Sequence, residues 1–399
     1  MNLSLSALQP YPFEKLNQLI KNVTPPEGKP PINLSIGEPK HPTPRFITES
    51  MIEHLETTAT YPTIRGNVEL RAVIADWLIA RFSLPAGSLS GDQNVLLVNG
   101  TREALFAFAQ CVVDNTQERP VVVIINPFYQ IYEGAALLAG AEPWYMNCVE
   151  EHEFLPDFQA VPEEVWQRCQ LLYLCSPGNP TGAVIDTATY SALLELADEF
   201  DFIIASDECY SEIYLVEDDP PVGLLHAAAV SGRTNYQRCI VFHSLSKRSN
   251  APGMRSGFVA GDAQLIQAFF VYRTYHGCAM PLYTQAASLL AWQDEKHVRH
   301  NRALYREKFE AVLDTLTPVM KVHRPKASFY LWPETPIDDT NFAYGLIERQ
   351  NVTVLPGSFL SRTANGVNPG HRRIRIALVA PLDECVEAAV RIRDYINTS

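Results

Sequence analysis

The chain has 399 residues, and 32 lysines and arginines against 45 aspartates and glutamates leave a formal net charge of −13. That length suggests about two or three structural domains with cores large enough to need no staples, and the acidic balance argues against a nucleic-acid partner, which wants clustered Lys and Arg. Eight cysteines without a CxxC pair, a start (MNLSLSALQPYPFEKL) unlike a signal peptide, and no apolar run of membrane-spanning length together predict a cytoplasmic protein with free thiols.

The first 45 residues are rich in proline, which removes donors and breaks helices, so they read as an extended arm around a short helix over 13–21. Helical apolar spacing over 48–82 is interrupted by Tyr61-Pro62-Thr63-Ile64-Arg65-Gly66. Short β-rich runs follow at 95–98, 121–125, 143–146, 171–175, 202–206, 240–243 and 257–260, separated in part by helices over 103–113, 190–199 and 263–275. The first five runs are nearly all apolar, as strands covered on both faces are. The rhythm predicts an α/β sheet with helices on both sides.

A long helical stretch over 281–316 comes next, its charged segment 299–308 read as a solvated face. From about Val319, strands at 329–332 and 374–379 mix with helices over 341–350 and 382–396, as in a smaller α+β domain. The expected division is an arm over 1–45 joining the small domain, a large domain over 46–285, and a C-terminal small domain over 286–399.

Phosphate-loop, dinucleotide, nucleophile-elbow and zinc-protease signatures are absent, and the ten histidines lack metal-ligand spacing, so no metal is expected. What stands out is a set of segments leaving strand ends, where an open α/β sheet places its ligand crevice. They are Asn99-Gly100-Thr101-Arg102, Asn126-Pro127-Phe128-Tyr129, Ser176-Pro177-Gly178-Asn179-Pro180-Thr181-Gly182, Asp207-Glu208-Cys209-Tyr210 and Ser244-Leu245-Ser246-Lys247.

The stretch SLSKRSNAPGMRSGF, with SPGNPTG, SDECYSEIY and NGTREAL, resembles the fold-type I, pyridoxal-phosphate-dependent aminotransferases of class I. The match runs from Gly37-Glu38-Pro39 to Arg375-Ile376-Ala377. YPFEKL, YHGCAM and SLSKRSN narrow it towards the N-succinyl-diaminopimelate aminotransferases of lysine biosynthesis. The resemblance implies a large domain with a mostly parallel central sheet, pyridoxal 5′-phosphate as cofactor, and a homodimer with shared active sites.

Residue by residue, Lys247 resembles the lysine that carries the cofactor and then moves a proton on the substrate. Asp207 ends an apolar run, so its carboxylate should be partly buried and need a cation, which the cofactor's ring nitrogen would supply. Tyr210 and Asn179 would reach the ring's phenolic oxygen, and Tyr129 would stack on the ring. The phosphate would rest on the helix N-terminus at Gly100, Thr101 and Arg102, the Arg102 side chain turned to solvent, with Ser244 and Arg255 completing the cradle. Tyr61 would reach the phosphate from the neighbouring subunit. Strand alternation puts Arg373 and Arg375 on one face, and composition does not choose between them; the family pattern assigns the substrate carboxylate to Arg375, with Gly37 closing over it.

The resemblance implies transfer of an amino group between N-succinyl-LL-2,6-diaminopimelate and 2-oxoglutarate. Arg65, Arg248 and Arg273 are candidates to read the distal carboxylates. Acetylornithine, aromatic amino acids and alanine remain alternative substrates, and a β-lyase on the same fold an alternative reaction. A transcription regulator on this fold would carry a basic DNA-binding domain, which the acidic chain does not suggest.

Overall fold

The computed structural model describes residues 1–398. The β-rich runs form one seven-stranded sheet of β1 (Val95–Val98), β2 (Val121–Asn126), β3 (Glu142–Asn147), β4 (Cys169–Cys175), β5 (Ile203–Asp207), β6 (Cys239–Ser244) and β7 (Gly257–Gly261). Its order is β1-β7-β6-β5-β4-β2-β3, and β7 alone is antiparallel to its neighbours. The apolar runs are explained by separate hydrophobic clusters on the two faces: Leu97, Val123, Leu172, Ile204 and Val241 point to one, Leu96, Ile124, Tyr173, Ala205 and Ile240 to the other. β3 departs from the expectation. It is the outer edge strand and half-exposed, with only Met146 buried.

A second core gathers Ile32, Leu34, Phe309, Phe342, Val352, Ile376 and Ile392 around short strands. The arm belongs to it by pairing as well as packing. Ile32–Asn33 runs parallel to Val352–Thr353, and Ala377 N donates to Leu34 O at 2.8 Å. This antiparallel-edged unit (Leu355–Pro356, Ile374–Ala377, Tyr330–Leu331) brings residues near 35 and 375 to the mouth of the large sheet.

Two expectations fail along 281–316. The stretch is two helices, Leu282–Gln293 and Lys296–Leu316, because Asp294 turns extended and its carboxylate caps His297 N at 2.9 Å. The segment 299–308 is not a solvated face: Asn301, Arg302, Tyr305 and Lys308 are buried, since this helix passes between the two cores. The eight cysteines are free. No helix among the described residues is long and apolar enough to cross a membrane.

Candidate active site

Loops leaving the carboxyl ends of the parallel strands meet the arm and the small domain around a cavity of about 400 Å³. Every residue expected to hold the cofactor or the substrate α-carboxylate lines it except Gly100, which is buried, and Tyr61, which is fully exposed elsewhere.

Asp207 is the last residue of β5, and burial pushes its carboxyl above the usual range. Oδ2 accepts from Tyr132 Oη at 2.8 Å and Oδ1 from Cys209 N at 3.3 Å; no lysine or arginine bonds to it among the described residues. It is a buried carboxylate short of a cation. Tyr132, itself buried against the Tyr173 ring, was not singled out in the sequence. Its one signal was position, three residues past Tyr129 at the start of the helix Ile131–Ala139.

Lys247 sits in a single helical turn after β6, started by Ser244, whose Oγ accepts from Ser246 N at 3.0 Å. Burial pushes its amine down to about 8, and Nζ donates to Gly37 O at 2.5 Å. Tyr210 Oη lies 3.0 Å from Tyr330 Oη, both phenols pushed up by burial. Tyr330 is a second residue missed from sequence, hidden in an apolar run that reads as core. A Cβ on Gly37 would run into the Tyr330 hydroxyl, so glycine is what lets the arm approach.

At the other end, Gly100 has φ 83° and ψ 153°, a conformation open essentially to glycine, and a Cβ there would strike the Arg255 guanidinium. It starts the helix Thr101–Val112, whose N-terminus has no side-chain cap and so offers N–H groups to an anion. Arg255 Nη1 donates to Pro252 O at 2.8 Å, holding the guanidinium beside that terminus. The Arg102 side chain is exposed as expected, but on the cavity rim, its guanidinium 5.4 Å from the Tyr11 ring centre.

Arg373 and Arg375 differ in their partners. Arg373 Nη2 pairs with Glu150 at 2.7 Å and is spent there. Arg375 enters the cavity, donating to Asn179 Oδ1 at 3.0 Å and Ser35 O at 2.7 Å, and its buried Nε has no partner. The three cations expected at the mouth are elsewhere. Arg248 is buried against Glu295 and Arg273 against Glu103, each because a buried guanidinium needs a carboxylate, and Arg65 bonds Asp92 O and Gln267 on the surface.

The sequence profile of the family described as "Aminotransferase class I and II" matches residues 29–392. The chain belongs to the class I and II aminotransferases. It is 31% identical to the LL-diaminopimelate aminotransferases of Nitratidesulfovibrio vulgaris and Aquifex aeolicus, over 97% and 98% of this chain and 97% of each relative. Among solved structures, an aminotransferase of Neisseria meningitidis superposes with TM-score 0.94 at 48% identity, over 98% of this chain and 99% of that one. A probable N-succinyldiaminopimelate aminotransferase of Thermus thermophilus gives 0.84 at 26%, over 96% and 100%.

The cofactor of this aminotransferase is pyridoxal 5′-phosphate. The residues present fit it. Among the described residues a buried carboxylate lacks a cation, an uncapped helix N-terminus beside an arginine suits a phosphate, and a lysine amine whose pKa burial lowers to about 8 lines the same cavity.

Proposed function

We propose that the amino donor is N-succinyl-LL-2,6-diaminopimelate, the acceptor 2-oxoglutarate, and the active form a homodimer. One observation carries the substrate reading. Among the described residues, Asp207 is the only carboxylate lining the cavity, and it is buried; the lining also holds the exposed Arg102 and the largely apolar Tyr11, Phe13, Ile36, Leu355 and Leu360. Donor and acceptor alike end in a carboxylate that Arg102 can take. An acylated far amine carries no positive charge, whereas a free far ammonium would meet a wall without an acidic partner. Unacylated LL-diaminopimelate is the second reading, favoured by the names of the 31% identical relatives.

In this reading Arg375 binds the substrate α-carboxylate through its fork, oriented by Asn179 and Ser35. Asp207, oriented by Tyr132, would hold the protonated ring nitrogen. Thr101, Ser244, Arg255 and the N–H groups after Gly100 would hold the phosphate, Tyr129 would pack on the ring, and Tyr210 and Asn179 would donate to its phenolic oxygen. Bound pyridoxal phosphate supplies the carbonyl that accepts the amino group and the conjugated ring that spreads the charge left on the substrate. Lys247 Nζ would take the proton from the amino donor's Cα in one half-reaction and deliver one to the former keto carbon of the acceptor in the other, a role that needs the neutral amine, which burial makes more accessible.

Tyr61 cannot serve its own chain's cavity. It is fully exposed, as a side chain that reached the phosphate of a second copy would be before assembly. The substrate test compares kcat/KM for N-succinyl-LL-diaminopimelate, LL-diaminopimelate and phenylalanine. A charge-assisted bond is worth about ten- to a hundredfold, so the succinylated donor should lead phenylalanine by at least about tenfold and Arg102→Ala should erase that lead, while the unpaired far ammonium should hold LL-diaminopimelate below the succinylated donor. A lead for LL-diaminopimelate would transfer the assignment to the second reading; parity with phenylalanine would remove both.

A further inference from the structure

Lys308 is 2% exposed and has no carboxylate partner among the described residues. A buried ammonium without a counter-ion needs another reason to be there. Its Nζ lies 2.7 Å from His41 Nε2 and 3.4 Å from Val379 O. His41 Nδ1 lies 2.8 Å from Asn301 Oδ1, and Asn301 Nδ2 donates at 3.3 Å to the backbone carbonyl of Lys247. Four polar groups in a row therefore connect a buried lysine in the helix Lys296–Leu316, through the arm, to the main chain of Lys247.

The direction of this row follows from its last member. A carbonyl only accepts, so Asn301 must turn its amide nitrogen to Lys247 and its oxygen to His41. That oxygen also accepts from Asn250 Nδ2 at 3.0 Å, in keeping with the same orientation. His41 must then donate from Nδ1 and accept at Nε2, and Lys308 is the donor. His41 also packs on the Tyr305 ring, with centres 4.7 Å apart.

We propose that His41, neutral and protonated on Nδ1, is a positioning residue that fixes the arm over Lys247. Four residues upstream, Gly37 O receives Lys247 Nζ, and Ser35 O receives Arg375. Anchoring His41 to the backbone of Lys247 sets these contacts relative to each other, across the seam between arm and large domain. The surroundings agree with a neutral ring. The groups facing His41 are Lys308, His300 and Tyr305, those facing Lys308 are His41, Tyr305 and Cys385, and burial pushes His41 down from its usual range. The inference rests on the assignment of Lys247, which borohydride fixation of the cofactor tests separately: an adduct on another lysine would remove that assignment and leave the protonation of His41 untouched.

The experiment has two arms. In ¹⁵N-histidine-labelled holoenzyme at pH 7, the His41 signals, assigned by their loss in His41→Phe or His41→Gln, should show the proton on Nδ1 and none on Nε2. His41→Phe keeps a ring on Tyr305 but cuts both bonds. It should raise KM for the amino donor about tenfold, the size of one or two hydrogen bonds, with kcat little changed. If that variant does not fold, Asn301→Ala cuts the row at its next member and is read the same way. An Nε2-protonated or charged ring overturns the proposal. So does a variant with wild-type KM and kcat, even one that melts earlier, because that would make the row structural only.

Discussion

Gly100→Ala isolates how the backbone prepares the phosphate site. At φ 83° and ψ 153° an alanine is strained by about 1–3 kcal/mol, and its Cβ would occupy the space of the Arg255 guanidinium. The chain can relieve the clash by moving that guanidinium, whose position depends on Pro252 O at 2.8 Å and a longer bond to Asn99 O at 3.4 Å. Arg255 should yield before the helix does. One charge-assisted contact to the phosphate is then lost, worth about 1.5–3 kcal/mol or ten- to a hundredfold in cofactor affinity. The assay is a titration of apoenzyme with pyridoxal phosphate followed by absorbance, alongside thermal unfolding of the apoenzyme. Gly253→Ala is the control, since a Cβ there meets nothing within 4 Å. If Gly100 acts through Arg255, adding Gly100→Ala to Arg255→Ala should cost little further affinity. Additive losses in that double variant, or wild-type affinity in the single one, would refute the reasoning.

Asp207→Asn should keep the cofactor bound yet lower turnover by orders of magnitude, because a neutral amide no longer holds the ring nitrogen charged; near-normal kcat would remove Asp207 from its role. Arg375→Met should raise KM for amino donor and keto acid together, while Arg373→Met, which loses only the Glu150 pair, should leave KM near wild type; the reverse order would transfer the carboxylate to Arg373. The Lys247 amine of the apoenzyme should be modified by an amine reagent with a midpoint near pH 8. Its folded pKa is depressed, so between about 8 and 10.5 the unfolded chain holds the extra proton, and this group's contribution to stability rises with pH across that window. A midpoint near 10 in the labelling profile would contradict the burial argument.

The fold was legible because its signal is local. Runs such as Val-Val-Val-Ile-Ile and Leu-Leu-Tyr-Leu-Cys have nowhere to go but the middle of a sheet, and all seven runs predicted between 95 and 260 lie in one. What sequence could not show is what a distant element does to a pattern. The charges over 299–308 look like a solvated face, yet Arg302 is drawn inside by Glu217 and Lys308 by His41, partners 85 and 267 residues away. β3 reads as a buried strand although it lies at an edge, because apolar content does not report strand order.

The same limit separates the site residues that were found from those that were misplaced. Lys247, Asp207 and Asn179 meet at one cavity because each leaves a strand end within a short motif that carries its local geometry. Arginines are another matter. Arg248, Arg273, Arg373 and Arg375 are all nine-tenths or more buried, and nothing in their flanking residues says which has a carboxylate waiting. Three do: Glu295, Glu103 and Glu150 meet the first three, each across at least 47 residues of chain. A buried guanidinium with its charge already matched has little left to offer a substrate, since binding an anion would mean breaking the pair it has. Arg375, among the described residues, is bonded only to an amide and a carbonyl, with Nε unsatisfied, so it alone of the four keeps an unmatched charge for the substrate carboxylate we propose it takes. Asp207 is its mirror image, a buried anion lacking a cation. The two ends of the site are thus marked by one physical property, incomplete charge pairing in a buried setting, and that property belongs to the folded chain rather than to any segment of it.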